Sequence, residues 1–381
     1  MLAASDLAEL IAFRHALHRQ PEVSGHEAQT ARAVLAFTAD SQPDDRLTDL
    51  GGHGVALVYR GTTPGPTVLI RSELDALPIA ELSDVPHRSQ IPGTGHLCGH
   101  DGHSTILAGL ARLLGRQRPA SGRVVLLFQP AEEDGSGAAA VLADPRFAQI
   151  TPDYAFALHN LPGLPLGHVV LEQGPANCAS VGLKLALTGK TSHAAEPHKG
   201  ISPAQALAQL IPGLMALGQG GALTPEFRMV TLTHAQMGAP AFGISPGHAE
   251  IWATLRTLTD AGMAALRAEA LTLAQQIATA QGLTLDHSWH DDFAACTNDP
   301  VATGLFRAAL MAEDIPLIAG DMPLRASEDF GRFGAAAHAA MAYFGAGEHT
   351  PALHNPDYDF PDALIAPGIR AFHRLIHTLL G

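Results

Sequence analysis

The sequence predicts a doubly wound α/β domain interrupted by an inserted α+β domain. Three observations predict it. Nearly continuous apolar runs at Thr67–Arg71, Arg123–Gln129 and Tyr154–Leu158 read as parallel strands covered on both faces, with a helical stretch, Ser104–Gln117, between the first two. From about Ser180 the order becomes strand, helix, strand, strand, helix, strand, the ferredoxin-like split pattern. After Asp291 the alternation of helix and strand resumes, so the first domain is discontinuous in sequence.

Taken in order, apolar spacing is helical from Ala3 to about Ala39 and is broken at Pro21–Gly25. The strands and helix of the α/β domain follow. The inserted segment reads as a strand at Val181–Thr188, a helix at Ser202–Leu217, strands at Phe227–Gln236 and Ala249–Leu258, a helix at Asp260–Ala280 and a strand at Leu283–Trp289. A helix over Pro300–Glu313 and a strand near Met341–Phe344 complete the chain. The expected division is residues 1–178 with 291–381 for the first domain and 179–290 for the second.

At 381 residues the chain exceeds the usual size of one core. A hydrophobic fraction of 46% against 16% charged residues argues for a globular chain without a long polar tail. The net charge of −14, with no basic cluster, excludes nucleic acid and anionic membrane surfaces as expected partners. The first twenty residues carry charges at helical spacing and do not read as a signal peptide, and no segment has the roughly 18 to 20 apolar residues that span a bilayer. Cys98, Cys178 and Cys296 form no disulfide framework, which suits a cytoplasmic location.

Chemistry-bearing residues follow directly on the apolar runs. Glu73 and Asp75 follow the first, Glu132 and Glu133 the second, and His159 the third. In open parallel sheets, ligands bind beyond the carboxyl ends of the strands, so three strands deliver carboxylates and an imidazole to one edge. The segment GHLCGHDGHST adds Cys98, His100, Asp101 and His103. Cys98 and His100, separated by Gly99, would diverge on a helix but can converge on one ion from a loop; thiolate with imidazole suits Zn²⁺, with nickel, cobalt and manganese as alternatives. Two adjacent glutamates at the end of a buried strand are costly unless used. One can ligate a metal while the other takes a proton from water, and a metal pair about 3.5 to 4 Å apart would acidify that water.

These residues stand in motifs, LHRQPEVSGHE, RSELDALP, CGHDGH, QPAEE, LHNLPGLPLG, GKTSHAAEPHKG, SEDF and LHNPDYDFPD, whose order resembles the M20 metallopeptidase family, in its amidohydrolase branch. The resemblance implies a zinc-peptidase-like α/β catalytic domain carrying a ferredoxin-like lid. It implies two divalent metals held by Cys98, His100, Glu133, His159 and His354, with Glu132 as general base and Asp75 orienting a ligand. His193 would reach a neighbouring subunit's active site and polarise the scissile carbonyl of the substrate there, and Arg256 would bind a substrate carboxylate. The implied activity is hydrolysis of N-acyl amino acids, small molecules, by a homodimer or higher homo-oligomer formed through the lid.

The chain departs from the branch pattern at Glu73, where Asp is usual, and at GISP, where Gly243 stands in place of Asn. Ser202 replaces the usual Asp or Asn before Pro203, and it can still cap a helix. A dipeptidase or aminopeptidase of the same fold, a cysteine hydrolase using Cys98, and a catalytically silent metal-binding protein remain open as alternatives.

Overall fold

The computed structural model describes residues 2–381. The helices are α1 (Ala4–Arg19), α2 (Ala28–Phe37), α3 (His100–Arg116), α4 (Gly137–Ala143), α5 (Ala204–Ala216), α6 (Asp260–Ala280), α7 (Pro300–Ala312) and α8 (Ile365–Leu380). The principal strands run β1 (Asp45–Leu50), β2 (Gly54–Arg60), β3 (Thr63–Glu73), β4 (Ser121–Gln129), β5 (Tyr154–Leu161) and β6 (Val169–Val170). They continue with β7 (Ala179–Thr188), β8 (Arg228–Met237), β9 (His248–Thr257), β10 (Thr284–Phe293) and β11 (His338–Gly345). The chain divides into two compact units.

The first unit holds the residues up to Ala176 together with Cys296–Met322 and Asp329–Gly381. Its seven-stranded sheet has the order β1-β2-β4-β3-β5-β11-β6. The four central strands are parallel, with Ile70 of β3 opposite Leu126 of β4 and Phe156 of β5, and Ala340 of β11 also opposite Phe156. Val68, Ile70, Leu126 and Phe156 join one core with Leu10 of α1, Leu110 of α3, Phe306 of α7 and Phe372 of α8. The alternate residues Leu69, Val125, Leu127, Ala155 and Ala157 are equally buried, which is why these strands read as unbroken apolar runs.

Two features of this unit differ from the sequence expectation. The antiparallel pair β1–β2 was not legible, because DRLTDL exposes residues irregularly and its register shifts between Leu47 and Leu50. Helix α3 starts at His100, four residues before the expected Ser104, so His100 belongs to the first helical turn rather than to a loop. Gly99 makes that start possible. Its φ is +89°, and a Cβ there would lie 2.3 Å from Asn160 Nδ2.

The second unit, Asn177–Ala295 with Pro323–Glu328, contains a four-stranded antiparallel sheet of order β8-β9-β7-β10. Leu183 and Leu185 of β7 and Ile251 of β9 share a core with Leu210 and Leu214 of α5 and Leu266 and Ala270 of α6. The segment 323–328 belongs with this unit because the Cys178 N–H donates to Leu324 O and the Arg256 guanidinium donates to Arg325 O. Ser202 lies one residue before the N-cap of α5, and its hydroxyl accepts the Ala204 N–H at 3.3 Å. No helix among the described residues is long and apolar enough to cross a membrane.

Candidate metal centre

Strands β3, β4, β5 and β11 all deliver their carboxyl ends to one edge of the sheet in the first unit. Asp75 follows β3, Glu132 and Glu133 follow β4, and His159 is part of β5 near its end. Cys98 and His100 stand at the start of α3, and His354 lies in the segment after β11. The backbone N–H of His354 donates to Leu97 O at 2.8 Å, which anchors that distant segment one residue from Cys98.

The structure brings these side chains together. Ligand atoms of Cys98, His100 and His159 lie within 4.8 Å of one another, as do those of Cys98, Glu133 and His354 and those of His100, Glu132 and Glu133. Cys98 Sγ is 3.5 Å from His159 Nε2, and His354 Nε2 is 3.5 Å from Glu133 Oε2. His100 Nε2 lies 3.9 Å from Glu132 Oε2 and 3.8 Å from Glu133 Oε1. Metal–ligand bonds of about 2 Å leave neighbouring donors roughly 3 to 4 Å apart, so these spacings fit a divalent ion between them.

Electrostatics favour a cation at the same point. Burial would lower the His100 ring, but Asp75, Glu73 and Glu133 outweigh it and raise its pKa to about 10. Its Nε2 is buried without a hydrogen-bond partner and faces the two glutamates. Burial first, then Glu133 and Glu132, push the Cys98 thiol well above its usual range, so a thiolate there requires a cation beside it. Burial and the neighbouring His103 hold His159 well below its usual value, which leaves its ring neutral, the form that binds metal. His354 is also lowered, by burial and then by His100.

The rear faces of the His100 and His159 rings are fixed. His100 Nδ1 donates to Asp75 O at 3.0 Å and lies 3.3 Å from Asp75 Oδ1. Burial would raise Asp75, but its contact with His100 and the Glu133 N–H hold it below the usual carboxylate value. His159 Nδ1 donates to the Asn160 carbonyl at 2.7 Å, and that leaves Nε2 for a metal.

Glu73 and His103 are used differently. Glu73 pairs with Arg71 and accepts from His103 Nδ1 at 2.7 Å, while His103 Nε2 accepts the Asn160 N–H at 3.1 Å. Both side chains are therefore already satisfied within the protein. Three further residues brace the site: Ser24 Oγ donates to Asp75, Glu27 accepts the Ala131 N–H, and Asp329 accepts the Ala138 N–H. Ser24 and Glu27 stand in SGHE and Asp329 in SEDF, motifs that carried the resemblance without a role attached.

His193 and Arg256 belong to the second unit. His193 is exposed, and the two-residue strand it ends pairs with Ile244–Ser245 of GISP. Arg256 Nη1 donates to Ser327 Oγ at 2.7 Å and to Arg325 O at 3.0 Å. No carboxylate pairs with Arg256 among the described residues, and burial pulls its pKa down.

Known proteins resemble the chain over nearly its full length. It is 32% identical to an N-acetyl-L-cysteine deacetylase of Bacillus subtilis, over 94% of this chain and 85% of that protein. An N-acetyldiaminopimelate deacetylase of Exiguobacterium sibiricum is 28% identical over 94% of this chain and 95% of its own. Among solved structures, a Bacillus subtilis protein described as a dinuclear metal binding peptidase from the M20 family superposes with a TM-score of 0.82. That match has 26% identity and covers 99% of each chain. The sequence profile of peptidase family M20/M25/M40 matches residues 69–378, and the chain belongs to that family.

Proposed function

We propose that the chain hydrolyses the amide bond of N-acyl amino acids, releasing a carboxylic acid and an amino acid. One observation carries this reading: a thiol, three imidazoles and two adjacent glutamates from four chain segments converge at one point, buried on the Cys98, His100 and His159 side and open at His354. The deacetylase names of the relatives support the substrate class.

Cys98, His100, Glu133, His159 and His354 would hold two divalent ions, of zinc, manganese, nickel or cobalt. Such ions would supply acidification of the attacking water and offset charge building on the carbonyl oxygen. Glu132, beside the ligands and not itself assigned to a metal, accepts the proton of the attacking water and returns it to the leaving nitrogen. Asp75 fixes the tautomer and direction of the His100 ring.

Two roles fall to the second unit. We assign His193 to the carbonyl oxygen of a substrate held by another copy, in a homodimer formed through this unit. Arg256 is assigned to the carboxylate of the amino acid product. A partly buried guanidinium whose partners are a hydroxyl and a carbonyl still lacks the anion that would balance its charge.

The test is a screen of N-acetyl, N-benzoyl and dipeptide substrates with protein reconstituted in each of the four metals. Glu132→Gln is expected to lower kcat by about 10³-fold or more while metal content stays unchanged. Retained turnover in that variant would remove Glu132 as the base.

A further inference from the structure

We propose that Glu27 is a positioning residue that holds Ala131 in a left-handed conformation and thereby aims Glu132 and Glu133 into the site. This rests on the reading of those two glutamates given above.

Glu27 is fully buried, and no Lys, Arg or His pairs with it among the described residues. Its Oε1 accepts from the backbone N–H of Gly25 and from that of Ala131, each at 2.8 Å. Its Oε2 is buried without a partner. A carboxyl group in such surroundings is costly, and an acceptor at that point is what it supplies. Burial and then Asp75 push its pKa up, which favours a neutral acid whose carbonyl oxygen still accepts.

Ala131 is where the chain leaves β4 and turns toward the ligands. Its φ is +51°, a region in which the Cβ of an L-residue crowds the following carbonyl. The conformation is gripped at both ends of the residue: Glu27 takes the Ala131 N–H, and the Gly137 N–H donates to Ala131 O at 2.8 Å. Gly137 can approach this closely because it lacks a side chain; a Cβ would lie 1.7 Å from Pro130 O. The same N-terminal loop holds the turn a second time. Ser24 Oγ donates to Asp75 Oδ2 at 2.8 Å, and the Glu133 N–H donates to that oxygen at 2.9 Å. Releasing Ala131 to a right-handed φ would swing the peptides bearing both glutamates.

The proposal is tested with Glu27→Gln, Glu27→Leu and the double variant Glu27→Leu with Ala131→Gly. Gln keeps the acceptor and should retain kcat within roughly threefold, whereas Leu should lower kcat about 30-fold with KM within roughly threefold. Glycine adopts positive φ without the Cβ penalty, so the double variant should recover about tenfold of the loss. Amide exchange in metal-free protein provides a readout apart from activity: the Ala131 N–H should exchange at least about tenfold faster in Glu27→Leu. If Glu27→Leu does not fold, Glu27→Asp replaces it, because its shorter side chain withdraws the acceptor and should lower kcat similarly. A folded Leu or Asp variant with unchanged kcat, or a loss that glycine does not relieve, overturns the proposal. If Glu132→Gln stays active, the base assignment fails alone, and exchange at Ala131 still decides whether Glu27 holds the turn.

Discussion

Arg71 is a fully buried guanidinium near the end of an apolar strand, tolerated there because acceptors surround it. It pairs with Glu73, donates from Nε to Gln129 at 3.0 Å and reaches Asp329 Oδ1 at 2.5 Å. Asp329 in turn accepts from Gln129 Nε2 and from the Ala138 N–H, so this cluster also braces the start of α4, just beyond the glutamate pair. Removing one partner from a buried ion pair costs more than the pair contributes, since it strands the remaining charge. Glu73→Ala is therefore expected to destabilise the metal-free protein by about 3 to 5 kcal/mol. Urea unfolding reads this, and an unshifted midpoint would mean that Asp329 alone satisfies Arg71. The contrast with the candidate metal ligands explains what the sequence disclosed. Cys98, Glu133 and His159 stood out because metal-capable residue types follow apolar runs at a strand end. Arg71 reads only as the last residue of such a run, and Glu27 bonds to peptide N–H groups, which leave no mark on residue types.

At the scale of elements, α1 is fastened to α3 by charges rather than by apolar contact alone. Arg14 is fully buried against Asp101 at 3.3 Å, Asp359 at 2.6 Å and Asp362 at 2.7 Å. His18 Nδ1 donates to Asp101 at 2.8 Å, and its Nε2 lies 3.2 Å from Glu81. Burial alone would lower His18, but Asp101 and Glu81 outweigh it and raise its pKa to about 9. A pKa higher in the folded than in the unfolded chain adds stability that is complete below about pH 6.5 and is lost as pH rises through about 9. Asp101 is held well below the usual range, chiefly by His18 acting against burial, and so contributes above about pH 4. Wild-type protein, compared in urea at pH 6.5 and pH 9.5 with chelator present, should therefore lose up to roughly 3 kcal/mol more than His18→Gln. Equal losses in the two proteins would mean that His18 is not charged in the fold. The sequence showed α1 clearly through its apolar spacing, whereas the start of α3 was hidden. Gly99 and Gly102 dilute the helical pattern there, and His100, Asp101 and His103 read as loop chemistry although they occupy the first helical turn.

For the whole molecule, the alternation of strand and helix already separated two kinds of architecture, but it missed the return of residues 323–328 to the second unit. That return depends on backbone pairing of Leu324 with Asn177, which no residue pattern announces. The second unit has its own core, and the ends of its main segment meet, since Ser180 of β7 pairs with Phe293 of β10. In the first unit the flanking ends also meet, since Asn298 Nδ2 donates to Glu172 O at 2.9 Å. Both units thus satisfy the geometric condition for an inserted domain, whose removal need not leave a long gap. Residues 177–295 expressed alone should unfold cooperatively in urea, with reduced stability because the contacts of Leu324 and Arg325 are missing. A first unit closed by a short Gly-Ser linker should bind the same number of metal ions as the full chain. It should nevertheless hydrolyse N-acyl amino acids at least about 10²-fold more slowly, since it lacks His193 and Arg256. Full turnover in that shortened protein would confine catalysis to the first unit and remove both residues from the mechanism.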